Sequence, residues 1–91
     1  MAGFKLQIVT PLRTVFQGTV ESVIAPGLDG YFGVLAHHAP LVAVLGRGDL
    51  RIRQARIETT WRISDGFMEV SDNQAIVLVE SAESEKEPIR E

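Results

Sequence analysis

Ninety-one residues, 45% hydrophobic and 23% charged, suffice for one small core and not for two domains. A formal net charge of −3 removes any general electrostatic pull toward nucleic acid or anionic lipid. With no cysteine, a disulfide framework, a thiolate zinc site and a cysteine nucleophile are excluded. No apolar run reaches the roughly 18 residues of a membrane span, and the N-terminus Met1-Ala2-Gly3-Phe4-Lys5 leads straight into a strand pattern without a signal-peptide core. The chain therefore reads as cytosolic, or as facing the cytosol, without inserting directly into lipid.

The dominant period is two. Phe4, Leu6 and Ile8 alternate with Lys5 and Gln7, and Pro11 closes that strand. Residues 15–24 form a second β-rich block, with Gln17-Gly18 expected as a tight turn or bulge. Pro26-Gly27 and Asp29-Gly30 mark a loop, residues 31–35 a short apolar strand, and His37-His38-Ala39-Pro40 a further connection. Residues 41–45 are apolar without interruption, and Gly46-Arg47-Gly48 ends the run. Leu50 and Ile52 alternate with Arg51 and Arg53. After a turn near Gln54-Ala55, Ile57, Thr59, Trp61 and Ile63 share one face, with Arg56, Glu58, Thr60 and Arg62 on the other. Asp65-Gly66 and Asp72-Asn73 bracket a strand over 67–70, and 75–79 is the last strand. No window has the length and period of a helix, and residues 83–91, charged and containing Pro88, read as a flexible tail. The expected fold is all-β: a flattened sandwich or barrel of short, mostly antiparallel strands over residues 1–82.

Two strands break the alternation of a sheet with one wet face. Residues 41–45 and 75–79 are apolar at both parities, although only one parity can enter a sandwich core. Ala43, Val77 and Val79 are read as outward-facing residues, lying either on a dry rim under loops or against a partner.

Candidate chemistry is thin. Adjacent strand residues point to opposite faces, so His37 and His38 cannot readily chelate one metal, and His38 is expected to hydrogen-bond within a turn stiffened by Pro40. Gly27, Gly30 and Gly33 lack the strand-then-helix context of a phosphate loop. Arg47, Arg51, Arg53, Arg56 and Arg62 read as a solvated face balanced by Asp49 and Glu58, with no interleaved aromatic residues to stack on bases. The serines sit in no nucleophile elbow. The reading has no catalytic residue, no metal ligand, no cofactor and no nucleic-acid partner.

The string Pro26-Gly27-Leu28-Asp29-Gly30-Tyr31-Phe32-Gly33-Val34-Leu35-Ala36-His37-His38-Ala39-Pro40-Leu41-Val42, followed by Leu45-Gly46-Arg47-Gly48-Asp49-Leu50-Arg51-Ile52, resembles the epsilon subunit of F-type ATP synthases. Phe16 with Gly18 and Val20, and Gly66-Phe67-Met68-Glu69-Val70 before Asn73, extend the resemblance to about Ala82. It implies a flattened sandwich of about ten strands and a non-catalytic rotor component of the central stalk, peripheral on the cytoplasmic face of the membrane. Such a component couples the gamma subunit to the membrane ring of c subunits. By that resemblance Leu28, Asp29, Gly30, Tyr31 and Phe32 would face the c-ring. His38, Ala39, Pro40 and Val42 would lie near the ring or the gamma subunit; Val77 and Val79 join the gamma set on the physical argument about outward apolar residues. The family's C-terminal helical hairpin, which can inhibit hydrolysis or bind ATP in some members, is not expected in this chain, so no nucleotide is expected either. The alternatives are an unrelated sandwich module binding a peptide or small ligand and, more remotely, a metal-dependent barrel enzyme using the two histidines.

Overall fold

The computed structural model describes residues 2–85, and none of them is helical. Ten strands follow one another: β1 (Phe4–Val9), β2 (Thr14–Val20), β3 (Ser22–Gly27), β4 (Gly30–Leu35), β5 (Leu41–Leu45), β6 (Gly48–Gln54), β7 (Ile57–Ile63), β8 (Gly66–Ser71), β9 (Gln74–Val79) and β10 (Ala82–Glu85). They form one sheet in the order β10-β7-β6-β3-β5-β8-β9-β1-β2, with β4 paired to β3. Every pairing is antiparallel except β1 with β9, as expected for this fold class.

The sheet folds over on itself. Its two halves, β4-β3-β6-β7-β10 and β5-β8-β9-β1-β2, meet at the single pair Gly27↔Leu45, reinforced by Gly46 N–H donating to the Pro26 carbonyl at 2.8 Å. At another corner Glu21 N–H donates to the Arg53 carbonyl at 2.8 Å, and Gln54 Nε2 donates to the Thr19 carbonyl at 3.0 Å. The inner faces of both halves contribute the core. Leu6 and Ile8 come from β1, Leu50 and Ile52 from β6, Met68 from β8 and Val77 from β9, all wholly buried. No charged or polar residue among those described is fully buried, so packing of apolar side chains holds the layers together.

Local chemistry explains the turns. Asp72 and Asn73 both have positive φ, 53° and 59°, the two-residue connection that joins twisted antiparallel strands with least splay. At Gly66, where β8 crosses close to β9, any side chain would collide with the Leu78 carbonyl oxygen.

Three expectations need correction. Gln17-Gly18 is no turn: Gly18 lies in the ladder opposite Leu6, the break falls at Glu21, and the irregularity sits on the facing strand between Ile8 and Val9. Pro26-Gly27 belongs to β3, and the turn is only Leu28-Asp29, closed by the Gly27↔Gly30 pair with Gly30 at φ 128°. Residues 82–85 pair with β7 as β10, so the sandwich continues past residue 82. The rest of the expected tail lies outside the described residues.

Candidate functional site

On the outward side of β5, β8, β9 and β1, the register aligns apolar side chains across the strands. Val44 pairs with Phe67, Phe67 with Leu78, and Leu78 with Val9. Three inter-strand steps give this row a width of about 14 Å. Phe67 is 54% exposed, Val44 47% and Leu78 44%. One step along, Val42, 70% exposed, stands opposite Glu69, which in turn faces Ile76. Leu28, at the β3–β4 turn, is exposed beside the same row, its N–H donating to the Val44 carbonyl at 3.2 Å. Two grooves flank the row: one of about 540 Å³ between Pro11, Phe67 and Leu78, and one of about 580 Å³ between Leu28, Phe32 and Val44. Isolated apolar residues on a surface are ordinary, but a contiguous apolar stripe across four strands marks a contact surface.

The opposite outward face has another chemistry. Asp49, Arg62 and Glu83 are cross-strand neighbours on β6, β7 and β10, with Arg62 Nε 3.2 Å from Asp49 Oδ1. Arg53 and Glu58 make a second exposed pair at 3.9 Å. The expected solvated arginine face is present, with Asp49 and Glu58 as its counter-charges. Leu35 and Ile57 are exposed there too, but singly and at strand ends.

The predicted contact residues separate into two ends of the sandwich. Leu28, Asp29 and Gly30 form the exposed hairpin tip between β3 and β4. Tyr31 turns toward the charged face, its hydroxyl accepting from Asp49 N–H at 3.4 Å, while Phe32 packs partly into the core. Residues 38–40 follow the far end of β4, so they lie at the other end from Leu28. His37, at φ 66°, donates its N–H to Asn73 Oδ1 at 2.7 Å, and Asn73 Nδ2 donates to the Gly3 carbonyl at 3.0 Å. His38 Nδ1 donates to the Ala39 carbonyl at 2.6 Å, which keeps it within the turn that precedes Pro40, as expected. Among the described residues no three His, Asp or Glu side chains converge on a metal position.

The outward assignment of Val77 and Val79 is wrong. Val77 is fully buried and Val79 6% exposed, and Ala43 shares the inward parity, paired with buried Met68. The cause is register. The two-residue turn at Asp72-Asn73 pairs Ser71 with Gln74, which sets Met68 opposite Val77 and leaves Ile76 and Leu78 outside. Val44, Ile76, Leu78 and Phe67 were therefore missed. Glu69 was the usable signal: a charged residue between Met68 and Val70 fixes Phe67 and Glu69 outward, and the turn carries that parity to β9.

Comparison with known proteins agrees with this architecture. The family profile described as "ATP synthase, Delta/Epsilon chain, beta-sandwich domain" matches residues 3–85. The chain is 53% identical over 79 residues to the ATP synthase epsilon chain of Chlorobaculum tepidum, covering 86% of this chain and 90% of that one. It is 41% identical over 87 residues to the sodium-ion-specific ATP synthase epsilon chain of Propionigenium modestum, covering 96% of this chain and 64% of that one. In three dimensions it superposes, at a TM-score of 0.86 and 24% identity, on a chain of the Euglena gracilis mitochondrial ATP synthase OSCP/F1/c-ring assembly, covering 92% of this chain and 54% of that one. That likeness concerns the fold. The profile match over nearly the whole sequence, together with the close relatives, makes this chain a member of the ATP synthase delta/epsilon-chain family, of which it carries the β-sandwich domain.

Proposed function

We propose that this chain is a non-catalytic central-stalk subunit of an F-type ATP synthase, which docks its apolar outward face on the gamma subunit and turns its Leu28-Asp29 end toward the c-ring. The row Val44, Phe67, Leu78 and Val9 is the observation that carries this reading. A free soluble domain gains nothing by exposing it, and a partner of matching shape gains by covering it. The relatives' shared name, ATP synthase epsilon chain, supplies the identity of the assembly.

The mechanism is mechanical. Torque carried between ring and gamma passes through the sandwich, whose two layers share one closely packed core and join along a continuous sheet. Such an interior deforms little under load, so rotation is passed on without slip. No bond is made or broken. Membrane association is peripheral in this reading, by way of the ring; among the described residues no helix is long and apolar enough to cross a bilayer. Revised by the exposure pattern, the gamma set is Val42, Val44, Phe67, Ile76 and Leu78, and the ring set is Leu28 and Asp29 with their neighbours Gly30 and Tyr31.

The deciding experiment is a titration of the purified chain against gamma subunit from the same source. One-to-one binding with a sub-micromolar Kd is expected. An absence of binding between two demonstrably folded proteins overturns the proposal.

A further inference from the structure

The folded sheet leaves an open seam between its terminal strands. β2 pairs only with β1, and β10 only with β7. At one end the outer edge of β2 is satisfied, because Thr19 and Glu21 bond to β6 through the Gln54 side chain and the Arg53 carbonyl. Val15 and Gln17 share the parity of Thr19 and Glu21, so their backbone N–H and C=O groups point to the same outer side, where no described strand meets them. Natural sheets protect such an edge with charges or proline. β10 follows that rule, carrying Glu83 and Glu85, whereas β2 reads Thr-Val-Phe-Gln-Gly-Thr-Val.

Between the two edges lies a groove of about 470 Å³, lined by Arg13, Val15, Trp61, Ala82, Glu83 and Ser84. Phe16 and Trp61 meet edge-to-face beside it, ring centroids 6.1 Å apart, and both are only partly buried. Two donors here lack acceptors among the described residues. The Arg13 guanidinium makes no ion pair, and the buried indole N–H of Trp61 makes no hydrogen bond.

We propose that this seam is a strand-acceptor site, which takes an extended, acid-bearing peptide segment of a partner protein. The segment adds to the free edge of β2 by main-chain hydrogen bonds to Val15 and Gln17, lays apolar side chains toward Val15 and Trp61, and places a carboxylate near Arg13. The unmet groups are backbone groups at strand spacing, which a helix cannot satisfy because its own are used internally. The free guanidinium fixes the charge of the occupant. At about 3.4 Å per residue, the open length of β2 accommodates roughly five residues. This site lies at the seam and is independent of the gamma-docking reading.

Trp61 is the only tryptophan, so its fluorescence reports occupancy directly. The probe is the acetylated and amidated pentapeptide Thr-Val-Thr-Val-Asp, compared with the same peptide N-methylated at alternate amides. Main-chain pairing is tolerant of sequence, so the unmodified peptide is expected to give a saturable change in Trp61 emission and new hydrogen-exchange protection at Val15 and Gln17. The N-methylated peptide should give neither. Gln17→Pro removes only an outward-pointing donor and should abolish binding while the melting curve keeps its cooperative form. Arg13→Gln should weaken binding about threefold, as should replacing the peptide's Asp with Asn, with no further loss when the two are combined. No saturable response to the unmodified peptide, or full retention of binding by the N-methylated one, overturns the proposal; the second comparison requires no variant to fold.

Discussion

Across β6, β7 and β10 the outward positions read Asp49, Arg62, Glu83; across β5, β8, β9 and β1 they read Val44, Phe67, Leu78, Val9. Both rows rest on the same pleat and the same kind of core, and both lie on the solvent side of one folded sheet. The first is a ladder of alternating charge that satisfies itself in water. The second has no such complement within the chain. The difference shows that a face built for contact is recognised by how residues align between strands, since no single strand displays it. β8 contributes only Phe67 to the row, next to a solvated Glu69, and looks ordinary by itself.

The strongest way to break this comparison is to test which side of β9 is which. Val77→Glu puts an unpaired charge among fully buried residues and should cost about 4 kcal/mol or more, read as a collapse of the urea midpoint. A loss below about 1 kcal/mol with a native spectrum would return Val77 to the surface and undo the register on which the apolar row depends.

Phe67→Glu sharpens the contrast between the faces. It should lower affinity for the gamma subunit about 100-fold with little change in melting temperature, because the ring is already half exposed. The mirror substitution Arg51→Glu, on the charged face, should leave affinity unchanged. Equal effects from the two would deny that the apolar face is special. Leu28→Asp, at the hairpin tip, should reduce co-sedimentation with c-ring-containing membranes about tenfold while sparing binding to isolated gamma. Loss of both would merge the two contact regions into one. The smallest effect belongs to the charge ladder: Asp49→Asn should cost about 0.5 kcal/mol, vanishing near 1 M salt, with gamma binding intact.

Much of the fold was legible in the sequence. Alternation in residues 4–8 and 57–63, and turn residues at 65–66 and 72–73, located most strands, because half-buried strands announce their period. β10 was not legible: Ala-Glu-Ser-Glu has little strand propensity of its own and is held by pairing with β7, a tertiary effect. The apolar runs 41–45 and 75–79 correctly signalled a contact surface, yet their composition misled on orientation. Val77 and Val79 are smaller than Ile76 and Leu78, and the smaller residues were taken for the outer ones. In a thin two-layer core, space between the layers decides instead, and the short side chains of β9 fit opposite Met68 and its neighbours. The corner made by His37 and Asn73 was beyond local reading, since its hydrogen bond joins residues 36 apart.

The parallel pairing of β1 with β9 also governs when this protein can come into being. Lys5 lies beside Gln74 and Val9 beside Leu78, so the first strand to leave the ribosome waits roughly 70 residues for its neighbour. Until then β1 has only the β2 hairpin, and a two-stranded ribbon is marginal in water. Completion of the sheet is therefore postponed almost to the end of synthesis, and long-range pairing of this kind makes the search slow. During that interval Phe4, Leu6 and Ile8 stay uncovered. A growing chain with this topology is a natural client for chaperones that bind short apolar segments, and it should form its native contacts late and nearly all at once.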